Sequence, residues 1–154
     1  MHNIDYHIYF TKSPIGLWRT KIDNGQFVAA NPATAKILGC QTVEDLLKFR
    51  STDFYINGDR QHLIEEIMKK GNVHNYELQV VKRDGTKIWL SVTARKEDGF
   101  IEGSIEDITD RKSVESYLES CQVVEGKRLE ELQKSLRKKI KDISVSIISD
   151  RHNS

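Results

Sequence analysis

The chain is poor in the residues that staple or break structure: two cysteines, two prolines and nine glycines among 154 residues. Cys40 and Cys121 stand far apart and form no Cys-x-x-Cys pair, which excludes a disulfide framework and a thiolate metal site and fits a reducing, cytoplasmic compartment. Long apolar runs are also missing. Nothing approaches the roughly 20 uninterrupted apolar residues that a bilayer demands. The opening MHNIDYHIYF has neither the basic start nor the apolar stretch of a secretory signal. Charge of one sign is lacking too, since 24 basic against 23 acidic side chains leave +1, so nothing global draws the protein to nucleic acid or an anionic membrane.

What is present is enough apolar material for one core. Hydrophobic residues make up 38% and charged residues 31%, while a mean hydropathy of −0.54 says that part of the chain stays wet. The wet part is at the end. Through residue 110 there are 14 basic and 16 acidic side chains; beyond it there are 10 and 7. Both prolines and every glycine except Gly126 precede residue 104, so turn chemistry is confined to the front. Residues 110–148, rich in Glu, Lys, Arg, Gln and Leu, read as one long polar helix with Asp107 or Thr109 as its cap.

In the front part, residues 17–23 and 26–30 are β-rich runs around Asn24-Gly25, a hairpin signal. Short helices follow over 33–39 and 43–49, the second led by Thr42 as a cap. A third, over 59–70, carries Leu63, Ile64, Ile67 and Met68 on one face and stops at Gly71. Runs 73–82 and 87–96 flank the turn Arg83-Asp84-Gly85-Thr86, and a last strand covers 100–107. Ile88, Leu90, Val92 and Ala94 share one parity and belong in the core; Tyr76, Leu78 and Val80 match them on the facing run. The order β-β-α-α-α-β-β-β and then a helix predicts an α+β domain on an antiparallel sheet.

These residues resemble the PAS sensory domains over about residues 13–112. The resemblance is carried by Ser13-Pro14-Ile15-Gly16, Asn24-Gly25 and Asn31-Pro32-Ala33 in the front half. The back half adds Arg83-Asp84-Gly85-Thr86-Lys87-Ile88-Trp89 and the run from Gly103 through Asp107-Ile108-Thr109 to Lys112. It implies a five-stranded antiparallel sheet whose inner face meets short helices around a pocket for a small molecule, a cofactor or side chains alone. It also implies a homodimer serving an effector, such as a histidine kinase, diguanylate cyclase or transcription regulator, in the same or a partner chain. The expected organisation is an N-terminal cap helix over 1–12, a sensor domain over 13–109 and a signalling helix over 110–150.

No phosphoacceptor histidine box or Gly-rich nucleotide loop is present, so catalysis is not expected. None of the five histidines pairs with an acidic or thiol partner at helical ligand spacing. His62 is on the helix that carries the axial ligand in haem-binding members, but the register puts that position on Arg60. Leu38-Gly39-Cys40-Gln41-Thr42 lacks the context of the flavin-adduct cysteine, so haem and flavin are both disfavoured. The candidate pocket residues are Phe27, Ile37, Leu46, Leu63, Ile67, Leu78, Leu90 and Ile105, which would otherwise simply be core.

Trp89 shares its face with polar residues and asks for a cover, either an N-terminal helix striped by Ile4 and Ile8 or a second subunit. In the tail, Val114, Tyr117, Cys121 and Val124 step by 3, 4 and 3, the seam of a two-stranded coiled coil. Leu129, Leu132, Leu136, Ile140, Ile143 and Ile147 restart that seam out of phase, with Gly126 at the break. Lys134, Arg137, Lys138, Lys139 and Lys141 lack interleaved aromatics and read as a solvated face, not a nucleic-acid site. The expectation is a sensor module that reports a ligand or partner through Asp107, Thr109 and the tail helix. A ligand-free dimerisation scaffold and a haem or flavin sensor are the alternatives.

Overall fold

The computed structural model describes residues 2–56 and 58–153, with side chains over 6–56 and 58–145. It divides into a compact unit ending at Thr109 and a second unit from Asp110 onward. The order is α1 (His2–Lys12), β1 (Gly16–Lys21), β2 (Phe27–Ala30), α2 (Pro32–Ile37), α3 (Val43–Leu46), a 3₁₀ turn (Ser51–Asp53), α4 (Asp59–Lys70), β3 (Asn72–Val81), β4 (Lys87–Glu97), β5 (Phe100–Asp107) and α5 (Thr109–Asn153). The strands form one sheet in the order β2-β1-β5-β4-β3, and every neighbouring pair is antiparallel.

Local chemistry sets these elements. Gly25, at φ +73°, closes the first hairpin, and Asn24 Oδ1 accepts from the Gln26 amide at 2.9 Å. In the second turn Asp84 Oδ1 accepts from the Thr86 amide at 2.9 Å. Thr42 caps α3 by accepting from the Asp45 amide at 3.1 Å. Gly71, at φ +84°, ends α4, where its amide meets the Ile67 carbonyl at 2.7 Å.

The alternation read in β4 holds: Ile88, Leu90, Val92 and Ala94 are buried, as are Leu78 and Val80 opposite them. The inner face of the sheet meets Leu46, Leu63, Ile67 and Phe54 from the helical side. Phe54 stacks edge-to-face on Phe27 and on Phe49, with centroids 6.3 and 6.1 Å away. Between Val73 and Tyr76 the β3–β4 register shifts, with Asn75 at φ +50° and its amide on Thr93 Oγ1.

Asn31 is wholly buried and ties the front of the domain together. Its Nδ2 donates to the Phe10 and Ile15 carbonyls at 3.0 and 2.9 Å, while Oδ1 accepts from the Leu17 and Thr34 amides and from Thr34 Oγ1. One side chain thus links the end of α1, the start of β1 and the first turn of α2. α1 packs against α2 and is tied to the start of β1 through Asn31. Trp89 is itself half-buried, and Tyr6 and Tyr9 face solvent. Ile4 lies outside the residues whose side chains are described.

The second unit is a single helix of 45 residues, about 68 Å long at 1.5 Å per residue. Gly126 lies inside it without a break. Val114, Tyr117, Cys121 and Val124 are exposed, as are Leu129, Leu132, Leu136, Ile140 and Ile143; Ile147 lies outside the described side chains. No helix among the described residues is long and apolar enough to cross a membrane.

Candidate functional site

Between the inner face of the sheet and α4 lies a cavity of about 40 Å³. Leu90 and Val92 of β4, Ile101 and Ile105 of β5, and Leu63 and Ile67 of α4 supply its apolar walls. Trp18, Tyr55, Arg60 and Ile64 are half-buried, and the remaining lining residues are buried. Its polar groups are Trp18, Thr20, Thr34, Ser51, Tyr55 and Arg60.

Of the eight pocket residues read from sequence, Phe27, Leu63, Ile67, Leu90 and Ile105 line this cavity. Leu46 and Leu78 are buried in the core but do not line it, and Ile37 packs half-buried against the core. The three belong to the right layer but sit beyond the reach of the cavity. The residues that sequence reasoning missed are chiefly polar or come from the irregular segment after α3. Phe54 and Tyr55 follow the 3₁₀ turn and dock on β3: the Val81 amide donates to the Phe54 carbonyl at 2.8 Å, and Tyr55 bridges to Val80. That segment has no periodicity to announce an inward face.

Arg60, in the first turn of α4, holds the rim. Its Nε donates to Ser51 Oγ at 3.2 Å and its Nη2 to the Ile22 carbonyl at 3.3 Å, fastening α4 to the 3₁₀ turn and to the first hairpin. Burial pushes the Tyr55 phenol up to about 12, with the nearby Arg60 charge opposing the shift. Tyr55 is therefore a neutral hydroxyl at any physiological pH. The indole Nε1 of Trp18 is buried without a hydrogen-bond partner among the described residues.

A haem or flavin ring does not fit these residues. The cavity is a small fraction of either ring system, His62 is exposed on α4, and Cys40, a buried thiol raised by desolvation, does not line it. Among the described residues no cluster of three or more His, Cys, Asp or Glu side chains is placed to hold a metal ion.

The second feature is the end of β5, two residues past Ile105. Asp107 Oδ1 accepts from the Thr109 amide at 3.0 Å and from its hydroxyl at 2.5 Å. Thr109 Oγ1 in turn accepts from the Trp89 amide at 3.0 Å, and the Ile108 amide donates to the Trp89 carbonyl at 2.9 Å. Of the two residues read as alternative caps, Asp107 bonds the first amide of α5, while Thr109 turns its hydroxyl back to β4. Leu90, on the cavity wall, is the register partner of Asp107.

A five-stranded antiparallel sheet with short helices over its inner face defines a small α+β domain, and comparison with known proteins gives its family. The PAS domain family model matches residues 14–110, and the chain belongs to that family. Among solved structures it is similar to a domain of a sensory box sensor histidine kinase/response regulator from Geobacter sulfurreducens. Identity there is 20%, with 69% of this chain and 94% of that one covered at a TM-score of 0.58. It is similar also to the PAS domain of a LuxR-family transcriptional regulator from Burkholderia thailandensis, in complex with ethanol. That match has 23% identity, 68% and 97% coverage and a TM-score of 0.57. A PAS domain from Colwellia psychrerythraea matches at 17% identity, 71% and 99% coverage and a TM-score of 0.61. No curated protein matches.

Proposed function

We propose that this chain is a cytoplasmic signal-sensing module in which occupancy of the central cavity changes the packing of β4 and β5 and thereby the state of α5. The observation that carries this reading is the adjacency of cavity and junction. Leu90 and Ile105 line the cavity, Leu90 pairs in register with Asp107, and Asp107 and Thr109 bond the start of α5 to the backbone of Trp89. A ligand must favour one arrangement of these strands by a few kcal/mol, because one indifferent to both arrangements would shift neither.

In the same proposal α5 pairs with that of a second copy, and the homodimer presents its helices to an effector such as a histidine kinase or diguanylate cyclase. Support comes from the exposed seam Val114, Tyr117, Cys121 and Val124, an apolar stripe that a second helix would cover. The sensor domain of this reading spans 13–109, with the cap helix before it and the signalling helix after it. The chain itself performs no catalysis in this reading.

The cavity's small volume favours one competing reading, a dimerisation scaffold whose core is filled by its own side chains. Native mass spectrometry of the freshly purified protein separates the two. A small molecule retained by the folded chain and lost on unfolding is expected; a bare polypeptide mass that no added small molecule changes would favour the scaffold.

A further inference from the structure

Resting on the reading of the cavity as a ligand site, we infer that its ligand is a short-chain monocarboxylate, with the carboxylate against Arg60 and the alkyl end toward Ile67 and Leu90. The charge pattern of the walls carries this inference. Arg60 is half-buried, and the two oxygens it reaches, Ser51 Oγ and the Ile22 carbonyl, are both neutral. A guanidinium has five N–H donors and stays protonated in proteins, so the remaining donors and the whole positive charge are left without an anion among the described residues. No described aspartate or glutamate lines the cavity.

The other polar groups point the same way. Tyr55 is a neutral phenol close enough to Arg60 to feel its charge, and Trp18 Nε1 is a buried donor with no acceptor among the described residues. A buried donor left unmet is costly, and a carboxylate offers two oxygens and about four lone-pair sites to such groups. A cation would meet the Arg60 charge with no acidic group to offset it, and an alcohol would leave that charge unanswered. The opposite walls are aliphatic and suit a short alkyl group, while the volume excludes long chains.

The test is a methyl NMR titration of the full chain, reading Ile67, Leu90, Val92 and Ile101, at constant ionic strength. Sodium propionate is compared with 1-propanol and propylammonium, which match it in size. Propionate is expected to move these methyls and to bind at least about tenfold more tightly than either analogue, a preference that Arg60→Gln abolishes and Arg60→Lys retains in part. If Arg60→Gln does not fold, the propionate to propanol ratio in the wild-type chain and in Arg60→Lys decides the matter. Equal binding of propionate and propanol overturns the carboxylate assignment and leaves the sensing cavity standing. Cavity methyls unmoved by all three probes overturn both.

Discussion

The hydroxyl oxygen of Thr109 accepts the amide proton of Trp89 at 3.0 Å, a bond that carries the end of β5 back onto β4. Because the same hydroxyl donates to Asp107, the three residues form a chain whose middle member is lost if Thr109 is truncated. Asp107→Ala together with Thr109→Ala should lower stability by about 1 to 2 kcal/mol, through the lost cap and the lost bond from the Trp89 amide to Thr109. The two single variants share one hydrogen bond, so their costs should sum to more than the double variant loses. Urea denaturation of the four proteins measures both quantities, and an unchanged midpoint in the double variant would remove the junction from the account of how α5 is held.

Alkali should loosen the fold through Tyr55. Its folded-state value of about 12 stands above the ordinary tyrosine value of 10.0, so the folded protein keeps the phenolic proton more tightly than the unfolded chain does. The contribution is fully present below pH 10 and is lost as pH rises through about 12, on the order of 2 kcal/mol over that window. Denaturation midpoints measured from about pH 8 to about pH 11.5 should show wild type losing stability relative to Tyr55→Phe as pH rises. Parallel pH profiles would mean that the phenol stays solvated in the fold.

Asn31 should be among the least replaceable side chains of the domain. Asn31→Ala strands the carbonyls of Phe10 and Ile15 and the amide of Leu17 in a buried site, and the cost should be at least about 2 to 3 kcal/mol. Asn31→Asp is nearly isosteric, yet it replaces two donated bonds with repulsion between a carboxylate and two carbonyl oxygens. Both variants should melt well below wild type, and proteolysis should then cut first near residue 12, where α1 loses its anchor. A melting temperature within a degree of wild type for Asn31→Asp would contradict the bonding described.

The contrast between Asn31 and Phe54 explains how far the sequence could be read. Alternation in β4 and the glycine turns of both hairpins are local signals set by sterics and burial, so strands and turns emerged close to their observed bounds, whereas the helix expected over 43–49 stops at Leu46. Asn31 was legible as a helix opener, but the five bonds it makes join segments up to 21 residues apart, which no local pattern encodes. Phe54, Tyr55 and Arg60 were missed as cavity residues for the same reason. Their inward placement comes from docking the 3₁₀ turn on β3 and from the reach of an arginine across to the first hairpin. Leu46 and Leu78 err in the opposite sense: hydrophobic parity finds the core but does not say which part of it borders an opening.

Cys121 offers a direct test of the proposed pairing of α5. In a parallel, in-register homodimer its sulfur meets its counterpart across the seam, so mild oxidation should yield a covalent dimer that Cys121→Ser abolishes. Glu119→Cys, off the seam in the Cys121→Ser background, should cross-link poorly. Leu132→Cys in that background tests the second seam, which restarts five residues after Val124. Both seams can pair at once only if the helix unwinds locally, and Gly126, the one glycine of α5, is the place where that costs least. Gly126→Ala should strengthen the isolated helix by about 0.5 to 1 kcal/mol and reduce cross-linking at one of the two seams. Equal cross-linking through Cys121 in the wild-type chain and through the thiol of the Leu132→Cys variant, unaltered when Gly126→Ala is added to each, would strip the glycine of its part in signalling.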